Sequence, residues 1–367
     1  MAHARPKVEH GPQAMERQLA NSQESSPMPQ HNAPASREIV LLSGGDLQRL
    51  LQPQSAVEAL REAYAALADN RGDQGRSIGF MVEGGSIHVK SGLLPGSHLA
   101  FVSKVNVNLP DNLKTHRLPT IQGVVVVADA RDGRPLAIMD SIVLTGLRTA
   151  ATAALAAGFG AKAESRSAAI IGCGAQAKYQ VGALRSVFRL EEVRVFDIDR
   201  ARAEAFAAAS STTTSRVTPA LSVRAAAQGV DICVTCTTSK SAVLTDDLDL
   251  KGCFVAAIGA DNPEKQEIAP ALMRRARILV DDLEACASSG DLAHALREGA
   301  VSREQVHADL AELVAGRKLG RMSPDELVIF DSSGSGVQDV AAAWAAYREA
   351  CRTGIGLRFD LSGIPAG

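Results

Sequence analysis

No charge of one sign dominates this chain: 39 Lys and Arg stand against 41 Asp and Glu, a formal net charge of −2. Without a global positive field, nucleic acid is not an expected partner. No apolar run approaches the roughly 18 residues that span a bilayer, so no membrane is expected either. Cysteine is sparse, with six (Cys173, Cys233, Cys236, Cys253, Cys286 and Cys351) scattered through 367 residues. Cys233 and Cys236 have CxxC spacing, but they fall in the strand-like run Asp231-ICVTCT. A strand points residues i and i+3 to opposite faces, so the two cannot grip one metal ion. No metal site is expected, and reduced, mostly buried thiols indicate a cytoplasmic protein. Residues 1–37 lack the apolar core of a secretory signal, and their acidic residues count against a transit peptide. Rich in Gln, Ser, Pro and His, they read as a disordered extension in which Met28 is a second candidate start.

The remainder is globular in texture, 46% apolar and 22% charged over the whole chain, and long enough for two domains. After a short β-rich run at Ile39 to Leu42, the stretch from Gly79 to Met139 holds β-like runs such as Ser86-IHV, Leu99-AFVSKVNV and Ile121-QGVVVVADA, separated by Gly, Pro and Asn turns. Helical spacing over 55–67 (Val57, Leu60, Ala63, Tyr64, Leu67) adds one amphipathic helix. Beyond the Ala-rich helical run 148–157, short apolar strands alternate with helices, the pattern of a parallel sheet covered on both faces. The fold expected is therefore α/β: a Rossmann, doubly wound parallel sheet over 148–336, plus a smaller mixed α+β domain over 38–147. The helical tail from Val337 is expected to return to the smaller domain.

Ile170-IGCGAQA follows a strand and opens a helix, the context a dinucleotide fingerprint requires. Gly172 permits the tight turn, Gly174 lets a pyrophosphate approach the backbone, and Ala177 stands where a third glycine often sits. Asp197 ends the next strand, placed to accept hydrogen bonds from the adenosine ribose and to repel a 2′-phosphate. NAD(H) is the expected cofactor, with Arg200 close enough to leave NADP(H) open. Asp197 also fits a turn aspartate.

Candidate chemistry lies in both halves. Lys104 sits in Ala100-FVSKVNV, apolar on both sides, where a charge requires a partner; the carboxylate of an amino or imino acid would supply one. Arg76 is suited to clamp the same carboxylate with its planar fork. Lys90 reads equally well as an edge-strand surface lysine or a third substrate-binding cation. Asp261 closes the strand Cys253-FVAAI at the carboxyl end, where α/β proteins bind ligands, and is the candidate acid or base; a turn aspartate before Asn262-Pro263 is the competing reading. Phe330-DSSGSG supplies small residues suited to close approach of a nicotinamide.

Taken together, Lys104-VNVNLPDN, Leu118-PTIQG, Ala137-IMD, Leu147-RTAATAALAA, Ile171-GCGAQ, Ile258-GADNPEKQE and Phe330-DSSG with Gln338-Asp339 resemble the ornithine cyclodeaminase/mu-crystallin family, over nearly all of 38–361. The resemblance implies a homodimer whose first domain dimerises and binds substrate while the second holds the nicotinamide nucleotide. By position in these motifs it implies that Arg76 and Lys104 bind the substrate carboxylate and that Asp261 is the catalytic carboxylate. Thr120, Arg148, Ala175, Gln176, Asp197, Thr237, Ile258, Lys265 and Ser332 would line the cofactor or the pocket. Ile258-GADNPEKQEI, Val280-DDLEA and Gly290-DLAHAL look more like the reductase and alanine-dehydrogenase-type members than the cyclodeaminases, which carry Cys at the position of Asn262.

The first expectation is thus an NAD(P)H-dependent reductase of a small cyclic imino acid, such as Δ1-pyrroline-2-carboxylate to L-proline, or of a related 2-oxo acid at C2. The alternatives are an ornithine cyclodeaminase that forms L-proline and ammonia with bound NAD, and a non-catalytic mu-crystallin-like protein that binds NADP(H) and a hormone-like ligand.

Overall fold

The computed structural model of the chain describes residues 38–69, 73–94 and 100–361; the proposed extension 1–37 lies outside them. Two sheets organise the protein. The first contains β1 (Glu38–Leu42), β2 (Asp73–Val82), β3 (Gly85–Leu94), β4 (Ala100–Asn108), β5 (Ile121–Asp129) and β6 (Pro135–Asp140). The second is parallel throughout and contains β7 (Ser167–Ile171), β8 (Glu192–Phe196), β9 (Arg216–Pro219), β10 (Ile232–Thr235), β11 (Phe254–Ala257), β12 (Arg277–Val280), β13 (Val306–Asp309) and β14 (Val328–Asp331). Its order, β13-β12-β14-β11-β10-β7-β8-β9, is that of a doubly wound sheet. β7, β10, β11 and β14 form its middle, and nearly all of their residues are buried. This is why they read as continuous apolar runs instead of alternating ones.

The chain returns at its end. Helix Gly336–Thr353 lies on β2, β3 and β4, and β15 (Leu357–Asp360) pairs antiparallel with β1, giving the first sheet the order β15-β1-β6-β5-β4-β3-β2. The sequence pattern anticipated the helix but neither β15 nor β13; four-residue edge strands are too short to show a period.

Helix Ser141–Gly160 begins seven residues earlier than the Ala-rich run suggested, because Asp140 at the end of β6 caps it by accepting from Val143 N at 2.7 Å. It packs on β4, β5 and β6 and also on β11 and β14, so it joins the two sheets. Among the described residues it is the one helix long and apolar enough to cross a bilayer, and 72% of that stretch is buried inside the protein. A reading by uninterrupted apolar runs passed over it because Arg148 and its threonines break the run.

Cross-strand register gives the first sheet two unlike faces. Lys90, Lys104 and Val125 are aligned on the side covered by the helices. Ile78, Val89, Val105 and Val124 are aligned on the other, and Ile78, Phe80, Phe101 and Val124 are exposed there. The close fit of helix Gly336–Thr353 depends on three glycines. A Cβ on Gly336 would stand 2.3 Å from the Ser91 carbonyl oxygen, one on Gly75 1.9 Å from the same atom, and one on Gly92 2.9 Å from the Gly336 carbonyl carbon. Gly336→Ala should therefore lift the helix off β3 and cost about 1–3 kcal/mol of unfolding free energy in urea titration. A loss under about 0.5 kcal/mol, within the range of neutral surface changes, would refute this packing argument.

Candidate active site

At the carboxyl end of the second sheet, Gly172 directly follows β7 with φ +98°, a left-handed conformation that glycine alone adopts freely. A Cβ there would also press on the Cys236 carbonyl oxygen at 3.0 Å. The Gly174 position faces open space, Ala175 is exposed, and helix Ala177–Val187 follows directly. Gln176 holds a buried Oε1 without a partner beside that turn. Asp197 lies at the end of β8 with its carboxylate nearly buried: Oδ2 accepts from Cys173 N (2.8 Å) and Oδ1 from Asp199 N (2.8 Å), with Arg202 at 3.6 Å. The carboxylate thus ties the glycine turn to the neighbouring strand. Space over Gly174, the orphan acceptor at Gln176 and the helix start fit the pyrophosphate and ribose of a dinucleotide. Asp199 caps the next helix through Arg202 N, and Arg200 pairs with Glu204 on the surface.

The cations of the first sheet meet two helices. Lys104 Nζ donates to Asp339 Oδ1 at 2.8 Å and to Thr145 Oγ1 at 3.3 Å, with both Lys104 and Asp339 buried. Arg148 Nε donates to the same Asp339 oxygen at 3.1 Å, and its Nη1 to Gln338 Oε1 at 2.7 Å. Lys90, the cross-strand neighbour of Lys104, is turned inward and donates to the carbonyls of Ser333 (3.1 Å) and Gly334 (2.8 Å). It is a cleft residue, and the surface reading does not hold. Three cations therefore surround one carboxylate. Burial lowers Lys104 to about 7, with Arg148 and Lys90 pushing the same way against the pull of Asp339. Lys90 is lowered chiefly by burial and by Arg148. Burial works to raise Asp339, but the charges of Lys104 and Arg148 outweigh it and hold its carboxyl below the ordinary range.

A second carboxylate organises the loop after β14. Asp281 Oδ2 accepts from Ser332 Oγ (2.8 Å), Gly334 N (2.9 Å) and Gln338 Nε2 (2.8 Å), and the same Gln338 amide donates to Tyr64 OH at 3.0 Å. Ser332 and Arg148 are thus held by one network that runs from Asp281 to Asp339.

Across the cleft, Asp261 follows β11 and pairs with Lys265 at 2.7 Å. Partial desolvation by the surrounding walls works to raise it, but the charge and hydrogen bond of Lys265, reinforced by Lys90, leave it below the usual carboxylate range. The side chain is 55% exposed, so ligand can reach it. Nearby, Glu267 is fully buried and accepts from Thr235 Oγ1 (2.8 Å), Thr237 N (2.6 Å) and Gly259 N (2.7 Å), which positions the loops bearing Thr237 and Ile258. Asp291 in turn accepts from Glu267 N (2.7 Å) and Ile268 N (2.8 Å). Burial among other carboxyls raises Asp331 to about 7 and Asp291 well above its ordinary value.

The structure therefore brings together Lys90, Lys104 and Arg148, with Ser332 in the adjoining network, and sets Asp261, paired with Lys265, within electrostatic reach of Lys90. It does not bring Arg76 to them. Arg76 lies opposite Ser91, so it projects from the other side of the sheet; its side chain is 78% exposed and pairs with Asp73 at 3.2 Å. Thr120 is half-buried immediately before β5, and its carbonyl accepts from Leu109 N. Asp339, Asp281 and Gln338 were given no role by the sequence reading. The available signal was a carboxylate in the first turn of an otherwise apolar helix and an Asp pair ending an apolar strand.

The sequence pattern of the ornithine cyclodeaminase/mu-crystallin family matches residues 40–354. An alanine dehydrogenase of Archaeoglobus fulgidus is 32% identical over 324 residues, covering 88% of this chain and 99% of its own length. Among solved structures, an archaeal alanine dehydrogenase dimer with bound NAD superposes with a TM-score of 0.83 at 31% identity, covering 88% of this chain and 99% of that one. The Δ(1)-pyrroline-2-carboxylate reductase of Thermococcus litoralis, in complex with NADH and L-proline, superposes with a TM-score of 0.82 at 29% identity, covering 87% and 99%. Fold, glycine turn and family pattern agree: the chain belongs to the ornithine cyclodeaminase/mu-crystallin family.

Proposed function

We propose that this protein is a nicotinamide-nucleotide-dependent reductase acting at C2 of a small imino acid, with a cyclic ketimine acid such as Δ1-pyrroline-2-carboxylate as substrate and a 2-oxo acid plus ammonia as the close variant. The observation that carries the reading is the trio Lys90, Lys104 and Arg148, the last two buried and Lys90 half-buried, whose one ion-pair partner among the described residues is Asp339. Clustered buried cations are costly unless matched by negative charge, and a substrate carboxylate provides it. The resemblance to an alanine dehydrogenase and a pyrroline-carboxylate reductase supports the same class. The glycine turn at 172–174, Gln176 and Asp197 would hold NADH, which supplies the hydride. Lys104 and Arg148 hold the carboxylate, so that C2 is fixed relative to the strand ends. Asp261, kept ionised beside Lys265, favours a protonated imine nitrogen, the form that accepts hydride readily.

The test is NADH oxidation by the purified protein with preformed pyrroline and piperideine carboxylates, with pyruvate plus ammonia, and with L-ornithine. Stoichiometric NADH loss with an imino or oxo acid is expected. Ammonia release from ornithine without net NADH change would instead establish a cyclodeaminase, and nucleotide binding without turnover of any of them a passive binder.

NADH is the expected cofactor because the Asp197 carboxylate disfavours a 2′-phosphate. Asp197→Ala should raise KM for NADH by about tenfold or more, the loss of charge-assisted hydrogen bonds, and should narrow the preference over NADPH. Equal use of both nucleotides by the unchanged protein would refute this assignment.

The uncovered apolar face carrying Ile78, Phe80, Phe101 and Val124 fits a second copy of the chain, in keeping with the dimeric archaeal relative. Sedimentation should show a homodimer, and Phe80→Glu should give monomers.

A further inference from the structure

Asp339 meets Lys104 and Arg148 through one oxygen only. Oδ1 takes both cations, whereas Oδ2 is buried without a partner. The side chain is placed by the first turn of helix Gly336–Thr353, whose approach to β3 is set by the bare glycines at 75, 92 and 336. The charged groups facing Lys104 are Asp339 from this helix, Arg148 from helix Ser141–Gly160 and Lys90 from β3, with Thr145 contributing a neutral hydroxyl. Asp281 and Asp261 act on Lys90 from the far side.

We propose that Asp339 is a positioning residue for the carboxylate pocket: it keeps the Lys104 ammonium charged and aimed in the empty site, then shares Lys104 with the arriving substrate carboxylate. The proposal rests on the reading of this cluster as a carboxylate pocket. Its physical basis is the cost of a buried ammonium. With two other cations as neighbours and no counter-ion, Lys104 would lose its proton and with it the ability to bind an anion. A guanidinium, unlike an ammonium, is not deprotonated in proteins. Lys104 is therefore the member of the trio whose charge depends on Asp339, and the unpartnered Oδ2 shows that Asp339 is not saturated by the cations it holds.

The experiment is a binding titration with pyrrole-2-carboxylate, a planar carboxylate that hydride cannot reduce, followed by the fluorescence of NADH bound to the full-length protein between pH 5.5 and 9. For the unchanged protein, binding should be tight at acid pH and weaken as Lys104 deprotonates above about 7. Asp339→Asn should move that break at least one pH unit toward acid. It should weaken binding tenfold or more at pH 7.5 while leaving binding at pH 5.5 near the wild-type value and NADH affinity unchanged. Asp339→Glu, which restores the charge, should restore the break, and Lys104→Arg with Asp339→Asn should bind with no break at all. Equal weakening at every pH in Asp339→Asn, or no weakening, would overturn the proposal while leaving the pocket itself standing. If the single Asn variant does not fold, the double variant decides: tight, pH-independent binding supports the role and uniformly weak binding overturns it. Absence of binding to the wild-type NADH complex at all pH values would instead remove the carboxylate-pocket reading, and this proposal with it.

Discussion

Lys104→Ala should lower kcat/KM for an imino acid by on the order of 10²–10³-fold, mostly through KM, with NADH affinity unchanged within about twofold. The buried ammonium is the centre of the cation cluster, in contact with Asp339 and Thr145 and opposite Lys90 in register. Its removal takes away half of the ion pairing of Asp339 and, on the proposed function, a cation that would hold the substrate carboxylate. It leaves untouched the Gly172 turn and the Asp197 carboxylate, to which the nucleotide is assigned. Steady-state kinetics with a preformed cyclic imine separates the two effects, since no free ammonia is then needed. The pH dependence has a definite sign. Lys104 has its ammonium depressed to about 7, so the proposed carboxylate should bind below that value and KM should climb above it; Lys104→Arg should flatten the rise. A kcat/KM within about threefold of wild type for Lys104→Ala would remove Lys104 from the site.

Asp261→Asn is expected to act on the other kinetic constant, lowering kcat by roughly 10²-fold or more while KM changes little. The pairing with Lys265 makes the role more specific than that of a general acid. A carboxyl held below its ordinary range is ionised at neutral pH, so on the proposed function its contribution in the direction of reduction would be negative charge beside the iminium nitrogen. In the reverse direction the same carboxylate would accept the proton. Asparagine keeps the shape and removes the charge. It also frees Lys265, whose cation would then oppose a protonated imine. Lys265→Met in the Asp261→Asn background should therefore recover part of the lost kcat. Full kcat with an unaltered pH profile in Asp261→Asn would assign proton handling to water or to the substrate.

Much of the fold follows from local signals. The strand runs at 167–171, 232–235 and 254–257 are apolar because both faces of a parallel sheet are covered, and that pattern survives in one dimension. Gly172 and Gly174 between a strand and a helix, with Asp197 closing the next strand, mark the turn proposed to hold the nucleotide because a tight left-handed bend and close backbone approach need those residues at that spacing. Lys104 stood out because a charge in an apolar strand requires a partner, and Asp261 because strand ends carry ligands. The identity of the partner was not legible. Lys104 meets Asp339 from 235 positions away, Lys90 reaches Ser333 from 243, and Arg148 reaches Gln338 from 190. Which face a strand residue occupies depends on register, and that alone separates Arg76 from Lys90, which sits beside its partner Ser91 on β3. Residue type and spacing thus determined the two-sheet architecture and the glycine turn between β7 and the helix that follows it. The tertiary structure decided which charges meet, because helix Gly336–Thr353 comes close enough to bring Asp339 to Lys104 only where Gly75, Gly92 and Gly336 leave no side chain between backbone and backbone.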